Sequence, residues 1–466
     1  MIASPLLDIF KHLIKQDRRA LQDFVNSPFH NKREEVILLF EYINKNLDTP
    51  LNLKKETVFK HVFSTVKTYD DKTMRYAMSF LLKCIQQYLM YNELENKDLD
   101  SKILLNRALR LRGADKAYQK TLTENLQELE TQPLRHADFH LQKFKLQLEE
   151  YDYRHQKQRG GELRLQDISD SLTDFYVTEL LRQACVMHSH ESVTQKSYNQ
   201  LFLNIVLEKI ESGDYVSPPS VLAYFHAYKA LTDGSQLADF QILKNIIIHD
   251  GHLFPKNEIR DLYLLAINFC IKKLNSGERI FETEALDLYK NGLQNGAILE
   301  NKMLSPFTYK NVMMLALKHG EYAWTEQFLH DFKKNLPERE RENLFKYNFA
   351  LFHFRQKDYP KAMQLLQEVT LKDVLYNLDA RRVLMRIYYE LGEYAALDSL
   401  LESFTVFIHR QKDLGYHKNS YQNLIKFVKK LLQIDWGNEG LKAQLKLEID
   451  NTLELTERDW LLDQLK

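Results

Sequence analysis

His136 and His140 are the first residues whose spacing could do chemistry, because side chains four apart share one helical face, as two ligands of a metal would. Position 137, where a zincin helix carries its glutamate, is Ala137, and no third ligand stands at a matching distance. The pair therefore reads as a solvated helix flank. His188-Ser189-His190 and His249-Asp250-Gly251-His252 are similar dyads at helix ends, where free carbonyls and the macrodipole favour imidazoles without any metal. Asp70-Asp71 lacks the carboxylate three residues on that a helical diphosphate site needs, and reads as a helix cap. Cys84, Cys185 and Cys270 are odd in number and far apart, which excludes a disulfide framework and paired CxxC metal sites. Each falls in an apolar helical register and reads as a small buried hydrophobe in a reducing compartment. With no glycine-rich phosphate loop and no Gly-x-Ser-x-Gly elbow, the chain is expected to be no enzyme and to need no cofactor or metal.

The one basic and aromatic run is Tyr151 to Arg159, with Arg154, His155, Lys157 and Arg159 behind Tyr151 and Tyr153. It is the kind of segment that touches nucleic acid. Glu149, Glu150, Asp152 and Glu162 stand beside it, and 64 Lys+Arg are matched by 64 Asp+Glu over the chain. There is thus no global field to draw the protein onto nucleic acid or anionic lipid, and a solvated helix end is the better reading.

Helices must position whatever sites exist. Only 14 Gly and 10 Pro occur in 466 residues, so few residues break helices and long helices joined by short loops are expected. A chain of this length exceeds one compact core, which implies several domains or an elongated stack. No run of 18 apolar residues occurs, so no membrane span is expected, and Ser4-Pro5 reads as the cap and first position of a helix rather than part of a signal peptide. In the first part, Leu6, Ile9, Phe10, Leu13 and Ile14 form one stripe and Val36, Leu39, Phe40 and Ile43 another, either side of a turn at Asn26-Ser27-Pro28. A longer helix after Asp70-Asp71 carries Ala77, Met78, Leu81, Leu82, Ile85, Tyr88 and Leu89 on one face and should be central. Ala137, Leu141, Phe144, Leu148 and Tyr151 have the seam spacing of a helix lying along a neighbour. The only Gly-Gly pair, Gly160-Gly161, marks the boundary between an irregular helical domain over 1–159 and a second region over 160–466.

In that second region, Phe352–Leu366 and Ile387–Leu401 align at an offset of 35 residues, and a third copy, Ala316–Leu329, precedes the first by 37. Gly320-Glu321-Tyr322, Lys357-Asp358-Tyr359 and Gly392-Glu393-Tyr394 occupy the turn of each copy. These residues resemble the tetratricopeptide repeat family, whose period is about 34 residues. Ala350 and Ala362 match the family's small crossing residues and Pro337 its closing proline, whereas Met313, Met385, Thr325 and Leu397 depart from it. The match covers roughly 305–405, with generic helix pairs over 170–300. The resemblance implies an all-α chain whose second region is a right-handed α-solenoid of degenerate repeats.

The family's groove positions fall on Lys310, Lys318, Tyr347, Arg355, Arg382 and Arg386, five of them basic. Such a stripe implies a non-enzymatic, cytoplasmic interaction scaffold that holds an acidic peptide or a chain's C-terminal carboxylate. The competing reading is that these cations pair with Asp379, Glu390 or Glu342. The alternative function is a nucleic-acid-binding helical repeat, and the apolar end at Trp460, Leu461, Leu462 and Leu465 allows a homodimer.

Overall fold

The computed structural model describes residues 4–66, 68–96, 98–157, 162–194, 196–232, 237–370, 373–411 and 414–466. Among them the chain is all-α, with one isolated bridge between Glu300 and Met303 in place of any strand. No helix of the described residues is long and apolar enough to cross a membrane. The chain divides into two compact units, Met1–Leu180 with Gly213–Val221, and Leu181–Ser212 with Leu222–Lys466. The Gly160-Gly161 pair lies outside the described residues.

The first unit holds α1 (Pro5–His12), α2 (Lys15–Asn26), α3 (Glu34–Asn46), α4 (Lys55–Val62), α5 (Asp71–Asn96), α6 (Asp98–Leu111), α7 (Asp115–Thr131) and α8 (Ala137–Lys157). Ser4 caps α1, accepting from the Leu7 amide with Pro5 at the first position. Asp70 caps α5 through the amides of Lys72 and Thr73, both at 3.1 Å. α5 packs on each of α1 to α4, and its Leu81 and Ile85 are completely buried among Phe10, Leu39, Phe40 and Phe59.

α8 departs from the expected seam. Leu148 is exposed, and the buried face carries Phe139, Leu146 and Glu149 instead. The cause is an ion pair: Arg110 of α6 forks onto Glu149 at 2.5 and 3.1 Å, which lets a carboxylate sit in the interface with α6 and α7. Tyr118 of α7 adds a hydrogen bond to the Glu149 carbonyl and stacks on Tyr153.

α9 (Leu165–Val193) contains the division between the units, and α10 (Leu203–Glu211), α11 (Pro219–Thr232), α12 (Leu237–Asn245), α13 (Lys256–Asn275) and α14 (Phe281–Gln294) follow. Then come α15 (Pro306–Lys318), α16 (Tyr322–Asp331), α17 (Arg341–Arg355), α18 (Tyr359–Gln367), α19 (Val374–Leu391) and α20 (Tyr394–Arg410). The last three are α21 (Tyr416–Gln433), α22 (Glu439–Asn451) and α23 (Arg458–Asp463). Consecutive helices pair, α13 with α14, α15 with α16, α17 with α18 and α19 with α20, and α17 also touches α15 and α19.

The three turns singled out by the sequence share one backbone. Gly320 and Gly392 have φ of +73° and Lys357 +63°, and in each case the next residue returns its amide to the carbonyl five positions earlier. These bonds, Glu321 to Ala316, Asp358 to His353 and Glu393 to Tyr388, measure 2.9–3.0 Å and close a Schellman motif. Only glycine adopts that left-handed position without strain, so Lys357 holds it at a cost that Gly320 and Gly392 do not bear. The same closure recurs at Gly277 and, in the first unit, at Gly113, where the Ala114 amide reaches the Leu109 carbonyl at 3.1 Å. The crossing positions Met313, Thr325, Ala350, Ala362, Met385 and Leu397 are all buried.

Candidate functional site

The six groove positions divide into two groups. Lys310, from α15, donates to Asp379 at 2.8 Å and to the Tyr347 hydroxyl at 3.0 Å. Tyr347 is completely buried and donates to the same carboxylate. Arg382 holds the other oxygen of Asp379 at 2.6 and 2.8 Å and also bonds Glu457. Arg386, one turn on, reaches Glu457 at 2.7 Å and Glu390 at 3.5 Å, and lies between the rings of Phe354 and Trp460. Trp460 and Tyr359 both donate to Glu390. Three cations thus face three carboxylates. Burial pushes the Asp379 carboxyl up, but Arg382 and Lys310 more than offset it and hold it well below the usual range.

Asp379 and Glu390 are the partners the sequence offered for these cations, while Glu342 pairs with Lys333 at 2.9 Å. Glu457 was not foreseen, since it lies 75 residues beyond Arg382 in the chain. Trp460 and Leu461, the apolar terminal residues that suggested a homodimer, are buried in the chain's own last cluster with Leu462 and Leu465 packed against it.

Lys318 and Arg355 form the second group. Both end their helices, α15 and α17, and with Ile271 and Leu274 of α13, Met314 and Leu315 they line a cavity of about 690 Å³. Lys318 is well exposed and touches Glu282. Arg355 is exposed and, among the described residues, makes no hydrogen bond or ion pair. The protein around it and the nearby Arg382 charge hold its guanidinium below its ordinary value. The cavity therefore combines apolar side chains with a guanidinium that, among the described residues, makes no hydrogen bond or ion pair.

Other candidate chemistry is accounted for. His140 is not a solvated flank: it is buried, with Asp174 at 3.5 Å on Nδ1 and Ser220 at 3.4 Å on Nε2. Thr178 lies 3.2 Å from Ser220, and Tyr215 donates to Asp174 at 2.6 Å. The order Asp-His-Ser imitates a hydrolytic triad, but Ser220 is completely buried and no substrate reaches it. Burial, with help from Lys143 and His136, pushes the His140 imidazole down to about 4. Because the folded value is depressed, its contribution to stability is complete above the ordinary histidine pKa of about 6.5 and is lost as pH falls from there toward 4. Asp174, raised by burial, opposes part of that slope. Acidification from pH 7 to 4 should cost the first unit about 2 kcal/mol, and His140→Asn should flatten that dependence in urea titrations at stepped pH.

No group of three or more His, Cys, Asp or Glu could hold a metal ion among the described residues. His188 meets the Leu231 carbonyl at 3.2 Å and His249 the Asn245 carbonyl at 3.0 Å, the helix-end role their positions implied. Cys84, Cys185 and Cys270 are free and buried, and burial pushes the Cys270 thiol up to about 12. In the basic run, Arg154 is paired with Glu150 and Lys157 with Asp115, at 2.5 and 2.6 Å. Arg159 lies outside the described residues.

Compared with models of known protein families and with the curated proteins, the chain matches none.

Proposed function

We propose that the chain is a non-enzymatic, cytoplasmic interaction scaffold whose second unit is a right-handed solenoid of degenerate tetratricopeptide-like pairs, and that it takes an acidic peptide or C-terminal carboxylate beside Arg355. The observation that carries this reading is Arg355, without an ion pair among the described residues, in the lining of the 690 Å³ cavity. The recurring turn at Gly320, Lys357 and Gly392 supports the repeat. Lys310, Tyr347, Arg382 and Arg386 brace the helices from within, so the ligand-facing charge of the stripe contracts to Lys318 and Arg355. A carboxylate on Arg355 gains a charge-assisted bond, and the apolar side chain next to it fills the space among Ile271, Leu274 and Met314.

Selection of linear peptides from a display library against the intact chain tests this. Enriched sequences should combine an acidic group with a large apolar residue, and Arg355→Glu should weaken their binding at least about tenfold in fluorescence anisotropy. Enrichment without acidic groups, or binding indifferent to Arg355→Glu, would count against it.

A further inference from the structure

A second recess, in the first unit, has the opposite polarity. Phe24, Ser27 and His30 line it from the end of α2, and Tyr88, Tyr91 and Glu95 from the end of α5, around a cavity of about 310 Å³. Residues 88, 91, 92 and 95 repeat every three to four positions, which puts one face of α5 against the recess. The rings are held at angles to one another: Phe24 to Tyr88 at 70°, Phe24 to Tyr91 at 50°, and His30 to Tyr91 at 62°. His30 stacks on Phe24 with centroids 3.7 Å apart.

The turn that places His30 is itself built. Asn31, buried, donates to the carbonyls of Val25 and Arg33 at 3.0 and 3.1 Å and accepts from the Arg33 amide at 3.0 Å. That clamp leaves Phe29 85% exposed beside the recess, an unusual position for a phenylalanine in a fixed turn.

Three features of the recess favour a cation. Aromatic faces are negative, and α2 ends here with no basic residue in its last turn, so its macrodipole presents a negative end. Glu95 is exposed and, among the described residues, carries no ion pair. Lys and Arg side chains lie over Phe80, Tyr76 and other rings of the chain, but among the described residues over none of Phe24, His30, Tyr88 or Tyr91. We infer that this recess binds a methylated ammonium group, held among the aromatic rings that line it with Glu95 as counter-charge. Methylation matters because a quaternary ammonium gives up little hydration on entering an aromatic pocket.

Calorimetric titration of the intact chain with choline, its neutral isostere 3,3-dimethylbutan-1-ol and a trimethyllysine peptide tests the inference. Choline or the peptide should bind, with the tighter of the two identifying the source, and the isostere should bind about tenfold more weakly. Tyr91→Ala and Glu95→Gln should each weaken binding about fivefold to tenfold. Both side chains are exposed, so the variants should fold as the parent does, which circular dichroism verifies. No saturable heat from choline or the peptide, equal affinity for the isostere, or indifference to both substitutions would overturn it.

Discussion

Asp379→Ala should lower the stability of the second unit by about 3–5 kcal/mol, the cost of stranding buried cations. Three groups lose their acceptor at once: Lys310, the Tyr347 hydroxyl and Arg382, whose side chain is only 16% exposed. Glu457 still binds Arg382, but among the described residues Lys310 and Tyr347 have no second carboxylate. Trp324, Trp436 and Trp460 all lie in this unit, so tryptophan fluorescence in urea reports on it directly. The pH dependence has a definite sign. Asp379 is held below the usual carboxylate range, so its stabilisation is complete above about pH 4 and disappears only as pH falls through the depressed folded value. Acid unfolding of the parent should therefore steepen below pH 4, and that steepening should be absent in Asp379→Ala.

In the first unit the largest loss should come from Arg110→Met, about 3 kcal/mol. Arg110 and Glu149 are each 8% exposed, and among the described residues the arginine is the only cation on that carboxylate, while Asp152 on the other side of the fork is half open to solvent. Methionine fills the volume of the arginine stem but leaves Glu149 buried and charged. The double variant Arg110→Met/Glu149→Leu should recover most of the loss, because an apolar pair of similar volume replaces a buried ion pair at little cost. Urea titrations followed by circular dichroism measure both, and a double variant no more stable than Arg110→Met would indicate that shape rather than charge sets the loss.

These two pairs also mark where the sequence stopped being readable. Local features could be read because their causes are local: the cap at Ser4, the cap at Asp70, the left-handed turns at Gly320 and Gly392, and the central apolar face of α5. The buried face of α8 could not, because a glutamate there looks solvent-seeking until Arg110, 39 residues earlier, is brought beside it. His140 failed for the same reason, its partners Asp174 and Ser220 lying on other helices. For the groove, the resemblance to tetratricopeptide repeats implied six positions but not that Glu457, more than 70 residues on, returns to neutralise Arg382 and Arg386. The turn at Gly113 was missed because Ala114 and Asp115 follow it in place of the Glu-Tyr or Asp-Tyr pair of the others.

A hydrogen-exchange footprint of the tightest selected acidic peptide on the intact chain tests the central claim most directly. Slowed exchange at the last turns of α13, α15 and α17, around residues 271–274, 314–318 and 351–355, with 379–390 and 454–460 unchanged, is the predicted result. Slowing centred on Arg382 and Arg386 with faster exchange over 454–460 would contradict it, because the peptide would then have displaced Glu457 and the internal ion network would itself be the binding site.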